Sequence, residues 1–236
     1  MLRRVENQTL VKICGLKDSA TISAMSGLPV DYIGFVFAPS KRQVTAAQAA
    51  ELHAAAQAAP MRDGKPPRTV GVFVNPTIEE LADTLAQVRL DVVQLHGQES
   101  PSFCREVTTR FGVEIWRVIS IREAGEKPGS GENNRSMMNI EALLAEYAGA
   151  VSTILLDTAG GGTGRTFCWE QIPGYQAAAR RCGLRLFVAG GLAPDNVAGL
   201  IKEYEPDGVD VSSGVETDGV KDLSKIATFA ERVNRS

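Results

Sequence analysis

The chain lacks any apolar run long enough to cross a bilayer, any paired cysteines and any cluster of basic residues. In 236 residues, no segment approaches the roughly 20 consecutive apolar residues of a membrane-spanning helix. The start, MLRRVENQTL, carries two arginines with no apolar stretch behind them, so a secretory leader is not expected. Four cysteines, Cys14, Cys104, Cys168 and Cys182, form no CxxC pair and no regular spacing. Neither a disulfide framework nor a zinc site is expected, and a reducing, cytoplasmic setting follows. With a net charge of −3 and scattered lysines and arginines, the chain offers no footprint for nucleic acid or a membrane surface.

What the chain has is enough apolar material for a substantial core, 44% of its residues, arranged in a repeated alternation. Short apolar runs predict strands at 10–14, 31–37, 69–74, 91–95, 114–119, 152–157, 185–189 and 207–211. They are β-branched-rich and nearly continuous in apolar character, as strands covered on both faces should be. Helical patterns lie between them, at 18–26, 45–59, 76–88, 101–110, 139–149, 169–181, 194–203 and 221–234. Asn75-Pro76 reads as an N-cap followed by a first-turn proline, and Ala193-Pro194-Asp195 begins similarly. Eight such units predict an α/β fold, a single closed (β/α)8 TIM barrel over 1–236, with 1–9 as an N-terminal extension. An open doubly wound sheet would place its phosphate-binding glycines in the first βα turn; here they come late. The stretch 120–138, rich in Gly, Pro, Asn and charge, reads as a flexible surface insertion.

In such a barrel the site lies at the C-terminal ends of the strands. Reading those ends selects Cys14, Arg42, His96 and Asp157, together with late glycines and serines. Gly190-Gly191 follow the seventh strand and Ser212-Ser213-Gly214 the eighth, where barrels build phosphate sites from backbone N–H groups. A small phosphorylated metabolite is the substrate class this pair of loops suggests. AGGGTGR (159–165), with Gly162 at its centre, suits a lid that closes on ligand better than a dinucleotide fingerprint, because no first-strand βαβ context surrounds it.

Asp157 ends the aliphatic run STILLD. Desolvation there would raise its pKa and suit a general acid, whereas a carboxylate capping the next loop is the plain alternative. Cys14 ends LVKIC and is either a small core hydrophobe or a thiol serving as base. Arg42 could receive a substrate carboxylate bidentately or stand solvated in its loop. His96 either positions ligand or makes structural hydrogen bonds.

Taken together and in order, KICG, GFVFAPSKR, VGVFVN, VQLHG, LLDT, GGTGRTFCW, VAGGL, PDNV and GVDVSSGVE closely resemble the phosphoribosylanthranilate isomerase family of tryptophan biosynthesis. The likeness runs from about residue 10 to 232. The resemblance implies an Amadori rearrangement of N-(5-phosphoribosyl)anthranilate to 1-(2-carboxyphenylamino)-1-deoxyribulose 5-phosphate, with no metal or organic cofactor. It implies Asp157 as the acid that protonates the ring oxygen and Cys14 as the base that takes the C2 proton. Arg42 would hold the anthranilate carboxylate, the last two strand loops the phosphate, and His96 would line the site. The related histidine-pathway isomerase uses paired aspartates, and Cys14 speaks against it; a scaffold that had lost activity should have decayed at the acid or the base. The extra residues before the first strand and the 120–138 loop suggest a lineage with insertions, or a domain from a fusion with neighbouring pathway enzymes.

Overall fold

The computed structural model describes residues 8–121, 137–158 and 166–236. Eight parallel strands close into a barrel: β1 Leu10–Cys14, β2 Tyr32–Val36, β3 Arg68–Phe73, β4 Val92–Leu95, β5 Glu114–Ile121, β6 Thr153–Thr158, β7 Arg185–Val188 and β8 Gly208–Val211. They alternate with α1 Ser19–Ala24, α2 Ala46–Gln57, α3 Ile78–Leu85, α4 Pro101–Phe111, α5 Met137–Tyr147, α6 Ile172–Arg181, α7 Val197–Tyr204 and α8 Leu223–Arg235. Each expected strand and helix is present, with ends moved by a few residues. Closure comes from β1 pairing with β8, which sets Lys12 opposite Asp210. A short antiparallel pair, β9 Glu216–Thr217 and β10 Val220–Lys221, follows β8.

Side chains of successive strand residues point to opposite faces, and that alternation builds two separate cores. The outward set, including Ile13, Ile33, Leu95, Ile154 and Val209, packs against Ile22, Leu52, Leu81, Val107 and Phe229 of the helices. The inward set is smaller and more aromatic: Tyr32, Val70, Val92, Trp116, Val118, Leu155, Phe187 and Ala189. Trp116 packs on Tyr32 and Phe187 with centroids 4.8 and 4.7 Å away. This plug packs the inside of the barrel below its C-terminal mouth.

Two helix starts differ from expectation. The N-cap of α3 is Thr77, whose hydroxyl accepts from Glu80 N–H while the Glu80 carboxylate accepts from Thr77 N–H. That reciprocal pair satisfies two otherwise orphaned donors. Asn75 instead has φ 47° and its amide oxygen accepts from Gln98 N–H at 2.6 Å, tying the β3 loop to the β4 loop. At α7 the cap position is Asn196 rather than the Ala193-Pro194-Asp195 start. Its side chain spans the turn, accepting from Ala193 N–H and donating to the Gly191 carbonyl, both at 2.9 Å. Of the 120–138 insertion, Ser120 and Ile121 belong to β5 and residues 137–138 to α5; 122–136 lie outside the described residues, as does most of the 1–9 extension. Among the described residues, no helix is long and apolar enough to cross a membrane.

Candidate active site

At the C-terminal mouth a cavity of about 380 Å³ is lined by Cys14, Arg42, His96, Asp157, Gly190, Gly191, Ser212 and Ser213, with Gln94 and Asp210 beneath. Eight of the ten residues singled out from sequence therefore share one cavity. Gly162 lies outside the described residues. Gly214 does not line the cavity: a Cβ there would sit 1.9 Å from the Leu192 carbonyl oxygen, so its lack of a side chain lets the β8 loop pack on the β7 loop. A larger depression of about 670 Å³ lies away from this mouth, between the α3–β4 and α4–β5 connections, and the one carboxylate among the described residues of its lining, Asp91, is taken up by the Thr69 N–H and hydroxyl.

Cys14 is the last residue of β1 and is 8% exposed. Gly34 of β2 makes room for it, because a Cβ on Gly34 would approach Cys14 Sγ to 2.8 Å. Burial raises the thiol's pKa above its ordinary value, and the Lys12 ammonium opposes that rise. Asp157, 9% exposed at the end of β6, has its pKa raised to about 6 by desolvation and then by the Asp210 carboxylate. A bond from Thr158 N–H to its Oδ1, 2.8 Å, works the other way.

His96 Nε2 stands 3.6 Å from Asp157 Oδ2. Burial, and then the charge of Lys12, lower its pKa to about 4, so the imidazole is neutral at pH 7. The loop that carries it is held from outside the barrel. Arg117 donates to the Leu95 and Gly97 carbonyls at 3.1 and 2.8 Å and pairs with Glu99 at 3.3 Å. Glu99 in turn accepts from Asn75 N–H and Gly97 N–H.

Arg42 is buried, and its Nε and Nη2 edge is taken by Glu216 at 2.6 and 2.9 Å. Glu216 also receives Lys221 at 2.8 Å, and Lys221 donates to the Ser212 carbonyl at 2.8 Å. Although burial alone would raise it, these bonds hold the Glu216 carboxyl down to about 2. The chain Arg42–Glu216–Lys221–Ser212 thus locks the β2 loop to the β8 loop across the mouth. Gly190 and Gly191 have φ of 81° and 64°, a region open to glycine, and their N–H groups donate to no other described residue.

The residues that sequence reasoning passed over are Lys12, Asp210, Glu216 and Lys221. The first two had a readable signal: each places a charge inside an otherwise apolar strand, LVKIC and GVDV, and buried charges come in pairs. Lys12 Nζ meets Asp210 Oδ2 at 2.8 Å.

Comparisons with known proteins place the chain in a family. A family model described as N-(5'phosphoribosyl)anthranilate (PRA) isomerase matches residues 11–232. An N-(5'-phosphoribosyl)anthranilate isomerase of Brevibacillus brevis is 46% identical, the match covering 95% of this chain and 93% of that one. One from Streptococcus mutans is 39% identical over 96% of this chain and all of its own. The solved phosphoribosyl anthranilate isomerase of Thermotoga maritima superposes with a TM-score of 0.72 at 32% identity, covering 97% of this chain and 100% of that one. A phosphoribosyl anthranilate isomerase solved with reduced 1-(o-carboxyphenylamino)-1-deoxyribulose 5-phosphate gives 0.71 at 31%, with the same coverage. The chain belongs to the N-(5'-phosphoribosyl)anthranilate isomerase family.

Proposed function

We propose that the barrel mouth carries out the family's isomerisation with Asp157 as general acid and Cys14 as general base. The reaction is the Amadori rearrangement of N-(5-phosphoribosyl)anthranilate to 1-(2-carboxyphenylamino)-1-deoxyribulose 5-phosphate in tryptophan biosynthesis. The observation that carries the assignment is the pair itself: a carboxyl raised to about 6 and a buried thiol lining one cavity. Asp157 donates its proton to the furanose ring oxygen, the C1–O bond breaks, and a protonated Schiff base forms at C1. The thiolate of Cys14 then removes the proton on C2, which the neighbouring iminium has acidified, so a thiolate is a sufficient base. The resulting enaminol tautomerises to the ketone.

The required state is a thiolate beside a carboxylic acid. It holds the same number of protons as the thiol–carboxylate state that predominates when the acid's pKa lies below the base's. Turnover therefore runs through a minor proton arrangement, and kcat/KM is flat between two limbs. The lower limb is Asp157 near pH 6; the upper is Cys14, above its ordinary value. Metal and organic cofactors have no part in this scheme.

For binding, the family assignment and the cavity lining support phosphate on the Gly190-Gly191 backbone and the Ser212 and Ser213 hydroxyls. Arg42, steadied by Glu216, keeps its Nη1 group for the anthranilate carboxylate, and neutral His96 lines the wall between. A cytoplasmic setting keeps Cys14 reduced. The test is turnover followed by anthranilate fluorescence. Cys14→Ala and Asp157→Asn each lose roughly 10²–10⁴-fold in kcat with unchanged circular dichroism; full activity in either refutes its role.

A further inference from the structure

Beneath the acid and the base lies a charge pair that their chemistry, as described, does not use. Lys12 is fully buried and Asp210 is 7% exposed; they are register partners across the β1–β8 seam. A buried ion pair is seldom retained for stability, since well-packed apolar residues of similar volume often do as well or better. This pair is also incompletely satisfied: Asp210 Oδ1 is buried with no hydrogen-bond partner among the described residues. What distinguishes the pair is where its two ends lie. Lys12 is two residues before Cys14 on β1, hence on the same inward face, and Asp210 shares the cavity lining with Asp157.

We propose that Lys12 and Asp210 are positioning residues forming a fixed dipole, ammonium end toward Cys14 and carboxylate end toward Asp157, that biases one proton from the thiol to the carboxyl. This rests on the acid and base roles given to Asp157 and Cys14. The step is a proton relocation: Sγ–H breaks, a proton is gained at the Asp157 carboxylate, and the net charge of the site stays constant. The populated fraction of the reactive state rises with every increment of that bias, because the site works through the minor arrangement.

The other charged groups at the two sites do not replace the pair. Lys221 and Arg42 also stand near Cys14, but both are bonded to Glu216. Around Asp157, His96 is neutral and the Thr158 amide favours the ionised form. Lys12 is the leading charge acting on Cys14, and Asp210 the leading charge acting on Asp157. Each partner's weaker influence on the opposite group has the contrary sign, as a dipole requires.

The experiment is the charge-neutral double variant Lys12→Met/Asp210→Asn, which leaves no unpaired buried charge. Three quantities are read: the pH profile of kcat/KM, KM for N-(5-phosphoribosyl)anthranilate, and the pH midpoint of Cys14 alkylation by iodoacetamide, located by peptide mass. Loss of the dipole moves the limbs apart, Asp157 downward and Cys14 upward. The plateau falls tenfold for each pH unit of added separation, KM changes little, and the alkylation midpoint rises with the upper limb. Limbs and midpoint that stay in place overturn the inference, whatever the activity. Should the double variant fail to fold, Asp210→Asn alone must shift the lower limb to lower pH, and an unmoved limb overturns it equally. The two levels separate cleanly. Full turnover by Cys14→Ala removes the acid–base assignment and the dipole with it; inactive Cys14→Ala and Asp157→Asn with unmoved limbs in the double variant removes the dipole alone.

Discussion

At the N-terminal floor of the barrel, Glu114 receives Arg68 at 2.7 Å, Arg185 at 2.5 Å, the Ser152 hydroxyl at 2.5 Å and the Trp116 indole N–H at 2.9 Å. At the C-terminal mouth, Asp157 receives one backbone N–H and faces the negative charge of Asp210. Neighbouring strands supply the two ends, Glu114 opening β5 and Asp157 near the end of β6, with the aromatic plug between them. The outcomes are opposite. Burial would raise the Glu114 carboxyl, but bonds from Ser152, Trp116 and Arg68 hold it below its ordinary range. Asp157 is left under-solvated and is pushed up to about 6. A carboxylate surrounded by donors closes one end and holds strands together. A carboxylate with few donors costs stability and takes up a proton at a higher pH than usual, which brings the protonated form within reach of the chemistry.

The largest expected stability effect breaks the mouth's side of that comparison. Asp157 has a folded-state pKa above its unfolded value, so its contribution is most favourable at low pH and is lost as pH rises through about 6. Asp157→Asn, neutral at every pH, therefore stabilises the fold at pH 7, by on the order of 3 kcal/mol for a shift from 3.8 to about 6. The advantage shrinks as pH falls and is gone below about pH 4. Thermal melts of both proteins between pH 4 and 8 check it; a difference that does not vary with pH means Asp157 is not strained. The same substitution removes turnover, so stability and activity move in opposite directions at this residue.

Most of the scaffold behind this comparison is legible in the chain. Runs such as STILLD and TVGVFV are apolar on both faces because one face meets the plug and the other the helices, so pattern alone locates them. Cys14, Asp157, His96 and Arg42 are legible because strand ends in a closed barrel converge on one mouth. The Lys12–Asp210 pair is half legible: a charge inside an apolar strand announces a partner, but the partner is 198 residues away, and only closure of β1 on β8 joins them. Glu216 sits in GVDVSSGVE, yet its tie to Arg42 spans 174 residues and has no local trace. The Asn75-Pro76 reading fails because Thr77, with Glu80 three residues on, offers the stronger capping geometry; a proline alone does not locate the cap.

On the floor, the expected sign is reversed. Glu114→Gln leaves Arg68 and Arg185 without their counter-charge and weakens four donors at once. Because the group is only half-buried, the loss is about 1–3 kcal/mol. Its carboxyl pKa is depressed in the folded protein, so the stability it contributes is present above the ordinary carboxylate range and lost as pH falls through the folded value. Denaturant unfolding at pH 7 and pH 3 measures this: the variant is weaker at pH 7, and its deficit against the parent is smaller at pH 3. The plug separates the two ends, so kcat and KM stay at parental values. A fall in kcat would mean the floor reaches the chemistry.

The smallest effect discriminates within the floor itself. Arg68 and Arg185 both hold Glu114, but the Arg68 side chain is 42% exposed and its guanidinium also lies 5.6 Å from the centre of the Tyr32 ring. An ion pair this open to solvent contributes about 0–1 kcal/mol. Arg185, Ser152 and Trp116 continue to satisfy the carboxylate when Arg68 is removed. Arg68→Met keeps the apolar stem over Tyr32 and loses only the charge, so it should destabilise by less than about 1 kcal/mol, with the difference fading as salt is raised toward 1 M. Chemical denaturation at two salt concentrations reads it out. A loss several times larger, insensitive to salt, would show that the floor depends on both arginines as a closed network rather than on Arg185 and the uncharged donors.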